Sequence, residues 1–72
     1  MKTRREAIGD LKFHAPFFFR AHKDDFDKLS DLTLSRLAER AEEDVHSVSK
    51  IYWLERMADE YQPGVFATKE RA

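Results

Sequence analysis

The chain has no cysteine among its 72 residues. Disulfide bonds and thiolate metal sites are therefore excluded, and the composition fits a reducing compartment. No apolar run approaches the roughly 20 residues that a membrane-spanning helix needs. Acidic residues interrupt the first ten positions, where a secretory signal would carry apolar ones. We therefore expect a cytoplasmic protein without a membrane partner.

Glycine and proline are scarce, with two residues of each. An all-β fold needs frequent turns rich in these residues. Apolar residues instead recur every three or four positions from about residue 16 to residue 61, which is typical of helices. The sequence predicts a small all-α domain over residues 1–64 and a flexible tail over 65–72. Val65 and Phe66 of this tail are expected to pack on the domain.

Signals for helix starts and breaks along the chain predict two to four helices. Thr3 and Glu6 have the spacing of a capping box, which predicts a turn or short helix at the start. Pro16 suits a first helical turn, and the spacing that follows predicts a helix over about 16–29. The same spacing continues over 31–62, as one helix or as two with a break near 42–47. A single helix would be about 48 Å long and would need a partner chain to cover it.

Five of the six phenylalanines lie between residues 13 and 26. Neighbouring side chains on a helix point about 100° apart, so Phe17, Phe18 and Phe19 cannot share one face. An exposed ring often marks an interface, and a chain this short has a thin core. We therefore predict an intertwined or packed homodimer with Phe26 and Val48 buried. The predicted interface residues are Phe17, Phe18, Phe19, Phe26, Ile51 and Trp53.

Charge is unevenly distributed along the chain. Residues 1–23 hold six basic and two acidic residues, a net +4, whereas residues 24–60 hold five basic and eleven acidic, a net −6. The two segments are expected to attract each other, within one chain or between chains. The alternative is that the basic end meets an acidic partner.

Residues 33–54 read TLSRLAERAEEDVHSVSKIYWL. The pair Leu37 and Ala38, followed by Val48 and Ile51, resembles the helix-turn-helix pattern of bacterial repressors. The resemblance implies a DNA-binding transcriptional regulator. The nucleic-acid contacts of this alternative would be Arg4, Arg5, His46, Ser47 and Lys50.

The same stretch departs from the repressor pattern at its turn. Glu42 stands where a glycine is usual and Glu43 where an apolar residue is usual, and both would bring negative charge to phosphates. A seam in alternating three- and four-residue steps predicts an interaction helix instead. The seam residues are Leu34, Leu37, Ala41, Asp44, Val48, Ile51, Glu55 and Ala58.

Catalytic and metal-binding patterns are absent from the sequence. The three histidines lack the i, i+4 spacing of a zinc helix, and the aspartates at 24–27 lack the glycine and terminal glutamate of a calcium loop. We expect no enzyme activity, no cofactor and no metal. The sequence favours a homodimeric protein–protein interaction module that regulates or assists a larger partner. The alternatives are the helix-turn-helix regulator and a single-strand nucleic-acid binder that uses the basic, aromatic N-terminal third.

Overall fold

The structure is a computed structural model that describes residues 1–43 and 50–66. These residues form four α-helices and one 3-10 helix, and they contain no strand, which confirms the all-α prediction. No helix in the described part of the chain is long and apolar enough to cross a membrane. The elements are α1 (Arg4–His14), α2 (Pro16–His22), the 3-10 helix η1 (Lys23–Lys28), α3 (Asp31–Glu43) and α4 (Lys50–Tyr61).

The capping box predicted at the start of the chain is formed. The hydroxyl of Thr3 accepts a hydrogen bond from the Glu6 amide at 3.2 Å, and the Glu6 carboxylate accepts one from the Thr3 amide at 3.0 Å. Two backbone donors that a helix start leaves free are thereby satisfied. The prediction was a turn or a short helix, and α1 is a helix of 11 residues, because Ala7 and Leu11 anchor it in the core.

The second helix ends earlier than the predicted range 16–29. α2 ends at His22, whose φ of −126° leaves the helical region, and the chain continues as η1. The aspartates of η1 are poor helix formers, so little holds this stretch in α-helical geometry. Phe26 and Leu29 nevertheless reach the core, as the apolar spacing predicted.

Residues 31–62 contain two helices rather than one. The Ser30 hydroxyl accepts a hydrogen bond from the Thr33 amide at 3.1 Å and so caps the start of α3. α3 ends at Glu43 and packs against α4, which begins at Lys50. Most of the predicted break near 42–47 lies outside the described residues.

The core is built where α1, α2, α3 and α4 meet. Phe18 is fully buried and contacts the rings of Phe26 at 5.9 Å and Phe66 at 5.8 Å. Phe26 is buried as predicted, whereas Val48 lies outside the described residues. Val65 packs against the same core, so the chain stays attached to it up to residue 66.

The seam predicted along residues 34–58 packs against other residues of the same chain, as far as it is described. Leu34, Leu37, Ala41 and Ala58 are all buried. Glu55, which interrupts the apolar spacing, pairs with His22 of α2. Asp44 and Val48 of the seam lie outside the described residues. Because one chain buries this seam, a second copy would have to use another surface.

Candidate functional site

The six predicted interface residues fall into three groups. Phe18 and Phe26 are core residues, whereas Phe19 and Ile51 are partly buried against the core. Phe17 and Trp53 are exposed, with 65% and 47% of their surfaces open to solvent. The structure does not bring the six together as one surface; the expectation that one ring of the Phe17–Phe19 triplet leaves the main face is confirmed for Phe17.

Trp53 lies on an outward face of α4 that is rich in aromatic and basic side chains. Its ring meets that of Tyr52 at 5.4 Å, edge to face. Arg56 donates a hydrogen bond to the Tyr52 hydroxyl at 2.8 Å, and its guanidinium lies 5.5 Å from the Tyr52 ring centroid. Tyr61, two turns after Trp53, is also exposed. These contacts hold long side chains in place on an otherwise open surface.

A shallow groove of about 310 Å³ runs along this face. Five of its lining positions follow helical spacing on α4, while Leu54 and Ala58 point from the same helix into the core. Met57 is half-buried and packs against the core, so it forms the floor. We call this surface the Trp53 groove; it is lined by Arg40, Trp53, Arg56, Met57, Glu60 and Tyr61.

The Trp53 groove carries both signs of charge. Arg40 comes from α3, Arg56 and Glu60 come from α4, and all three side chains are exposed. Within residues 1–43 and 50–66, neither arginine forms an ion pair with a carboxylate. The groove therefore carries two guanidinium groups whose charge no carboxylate of the described residues pairs with.

The described residues proposed as nucleic-acid contacts differ in whether their side chains already make hydrogen bonds or ion pairs within the fold. Arg4 donates hydrogen bonds to the Leu29 and Phe26 carbonyls at 2.9 and 2.6 Å and pairs with Asp31 at 2.9 Å. Lys50 donates to the His14 carbonyl at 2.7 Å.

Arg4 and Lys50 therefore hold elements of the fold together through these contacts. Arg5 is exposed, and His46 and Ser47 lie outside the described residues.

Among the described residues, two ion pairs and one histidine–carboxylate hydrogen bond join the two charged segments of the chain. Arg4 pairs with Asp31, Lys2 lies 3.9 Å from Glu42, and His22 pairs with Glu55. Lys2 also pairs with Asp10 at 2.8 Å, and the hydrogen bond and charge of Asp10 raise the pKa of Lys2. The expected attraction between the segments thus operates within one chain.

The described residues hold no group of three or more His, Asp or Glu side chains that is arranged to bind a metal ion. His22, the most enclosed histidine, stacks on Phe66 at 4.2 Å and pairs with Glu55. The partly buried pair links α2 to α4 beside the rings of Phe18 and Phe66. Its geometry suits a structural contact between helices rather than a group that meets a substrate.

Sequence reasoning singled out Trp53 but missed its neighbours in the groove. Arg56 and Tyr61 stand three and eight residues after Trp53, so the helical spacing of α4 places them on one face. Arg40 carries no such signal, because only the packing of α3 on α4 brings it to the groove.

Comparisons of the chain with protein families, with curated proteins and with solved structures find no match.

Proposed function

We propose that the protein is a small, non-enzymatic interaction module that forms a homodimer through the Trp53 groove. The observation that carries this proposal is the combination of side chains in the groove. Trp, Tyr and Arg are the residue types that contribute most to binding at protein interfaces. Here they are exposed together, on a rigid helix and over an apolar floor.

The mixed charge of the groove favours a second copy as its occupant. A two-fold interface must be self-complementary, so each patch has to offer both partners of every contact. An antiparallel pair of α4 helices crossing at Met57 would place Trp53 opposite Tyr61 of the partner subunit, because each is four residues from Met57. Arg56 would then lie within about one turn of Glu60 of the partner subunit, which pairs opposite charges.

The size of the molecule is compatible with such a dimer. A stable interface buries at least about 1,200 Å² in total, or about 600 Å² from each copy. The chain exposes 4890 Å², so each copy would contribute roughly an eighth of its surface. The interface would thus extend beyond the groove along α4.

The dimer is proposed to act in the cytoplasm on a larger protein. Surfaces away from α4 stay open in such a dimer and remain available for that second role. The helix-turn-helix alternative has less support, because Arg4 and Lys50 are engaged within the fold.

Sedimentation equilibrium at micromolar concentration tests the dimer. Wild-type protein is expected at twice the monomer mass of 8.5 kDa. Trp53→Ala should shift the equilibrium to monomer, since truncating a central aromatic anchor typically costs 2 kcal/mol or more, about thirtyfold in affinity. Phe17→Ala is the matched control, because this ring is also exposed but lies outside the groove, and the variant should remain dimeric. A monomer mass for wild type, or equal masses for both variants, would contradict the proposal.

A further inference from the structure

A second apolar surface lies where α1 meets α2. Phe13 and Phe17 are 79% and 65% exposed and stand on either side of Ala15, the residue between the two helices. They are four positions apart in the sequence, so their Cα atoms are no more than about 14 Å apart. Neither ring lines the Trp53 groove.

Basic side chains lie at the same helix junction: Arg20 is beside the ring of Phe17, and Lys12 precedes Phe13 in the sequence. The Arg20 guanidinium lies 5.9 Å from the Phe17 centroid, and the Lys12 ammonium lies 5.8 Å from the Phe19 centroid. Neither cation pairs with a carboxylate of the described residues. We call this surface the Phe corner; it consists of Lys12, Phe13, Phe17 and Arg20.

The sequence around the Phe corner contains no acidic residue from 11 to 23. Asp10, just before this stretch, is held by Lys2, and Asp24 follows directly after it. The Phe corner is therefore positive as well as apolar. Two copies of it would bring like charges together, which disfavours the same surface of a second chain as its partner.

We propose that the Phe corner binds the surface of an anionic membrane. Phe13 and Phe17 would enter the boundary between headgroups and acyl chains, and Lys12 and Arg20 would contact the anionic headgroups. Apolar rings beside cations are the recognition chemistry of interfacial membrane binding. Such contact needs no spanning helix, so it goes beyond the sequence-based expectation of no membrane partner.

Single-stranded nucleic acid is the other polyanion that binds aromatic rings. Its binding sites combine a positive groove along the backbone with rings for successive bases. The Phe corner offers two exposed rings rather than a row of rings for successive bases, and we therefore choose the lipid surface. The two partners are separated by experiment.

Vesicle co-sedimentation at about 0.15 M salt, the physiological ionic strength, tests this proposal with the full chain. Vesicles of phosphatidylcholine mixed with phosphatidylglycerol are compared with vesicles of phosphatidylcholine alone. The variants are Phe13→Ser with Phe17→Ser, Lys12→Gln with Arg20→Gln, and the control Leu32→Ser, which removes an exposed apolar side chain of α3. All the substituted side chains are exposed, and circular dichroism confirms that each variant is folded.

Binding is expected only to the anionic vesicles. The double phenylalanine variant should bind at least about tenfold more weakly, and the double charge variant about fivefold more weakly for each cation removed. Leu32→Ser should bind like wild type. A Phe17→Trp substitution in a Trp53→Phe background should show a blue shift of emission when anionic vesicles are added.

Three results would overturn the proposal. One is the absence of binding to anionic vesicles or equal binding to neutral ones. Another is binding that the phenylalanine substitutions leave unchanged, which would show that no ring enters the membrane. The third is tight binding of a single-stranded RNA oligonucleotide, lost with the same phenylalanine substitutions, by a protein that does not bind vesicles.

Discussion

Phe26 closes one side of the cluster of buried rings in the core. Its ring contacts Phe18 at 5.9 Å and Phe19 at 6.0 Å, and only 3% of its surface is exposed. Truncation to alanine would leave a cavity lined by these rings. We expect Phe26→Ala to lower the free energy of unfolding by about 3–5 kcal/mol, a large share of the 5–15 kcal/mol typical of small proteins.

Urea denaturation followed by circular dichroism measures this loss. Phe17→Ala removes a ring of the same size that is mostly exposed, so its free energy of unfolding should stay within about 0.5 kcal/mol of wild type. Similar losses for both variants would show that Phe26 has no special place in the core.

Single residues also show where sequence reasoning stops. Glu55 interrupts the apolar seam of α4, and the spacing alone offers no reason for it. The reason lies 33 positions away in His22, whose ring contacts those of Phe18 and Phe66 and pairs with the Glu55 carboxylate. A contact over that distance depends on tertiary packing, which periodicity does not contain.

At the scale of elements, Gly9 makes α1 less stable than alanine at the same position would. A Cβ built at this position has no heavy atom within 4 Å, and glycine inside a helix costs roughly 0.5–1 kcal/mol relative to alanine. Gly9→Ala should raise the free energy of unfolding by that amount and raise the melting temperature. Thermal denaturation measures the change.

Gly64 is the matched control for this substitution. Its added Cβ also meets open space, but its φ of +94° is one that side chains rarely adopt. Gly64→Ala should therefore destabilise the protein. If Gly9→Ala lowered the melting temperature as well, the helical geometry of α1 at this position would be contradicted.

The elements were predictable where a local signal fixes them. The capping box of Thr3 and Glu6 and the proline at position 16, at a helix start, both act through neighbours in sequence. The change from α2 to η1 at His22 was not predicted, because the apolar spacing of Phe18, His22 and Phe26 fits a continuous helix equally well. Only the tertiary packing of the Phe18 and Phe26 rings distinguishes a continuous α-helix from α2 followed by η1.

At the scale of the whole molecule, the distribution of charge predicts weak binding to duplex DNA. Arg4 and Lys50 donate to backbone carbonyls within the fold, and Glu42 and Glu43 end α3 with exposed negative charge. With Arg4 and Lys50 engaged, Arg5 is the one described cation among the proposed DNA contacts that is left to release counterions from a duplex. Fluorescence anisotropy with mixed genomic fragments at about 0.15 M salt should show negligible binding. Tight, sequence-selective binding that Lys50→Ala abolishes would favour the repressor-like alternative.

The candidate site was predictable only in part. The sequence placed Trp53 on a helix, which the structure confirms, and pointed to it as an interface residue; its ring is exposed, and the interface stays a prediction. The sequence also proposed Phe18 and Phe26 as interface residues, but both rings are buried in the core. Rings at spacing i, i+8 lie on one helix face, and such a face can pack in a core or at an interface equally well. Arg40 needed the packing of α3 against α4.

The central claim is that a second copy of the chain covers Trp53. Trp53 is the single tryptophan of the chain, so its fluorescence reports on this one position. We predict a red shift of the emission maximum when the protein is diluted from micromolar to low nanomolar concentration, as dissociation exposes the indole to water. Arg56→Glu, which places negative charge beside Glu60, should show the red-shifted spectrum at every concentration. An emission maximum that stays at the solvent-exposed position throughout the dilution of the wild-type protein would contradict the account.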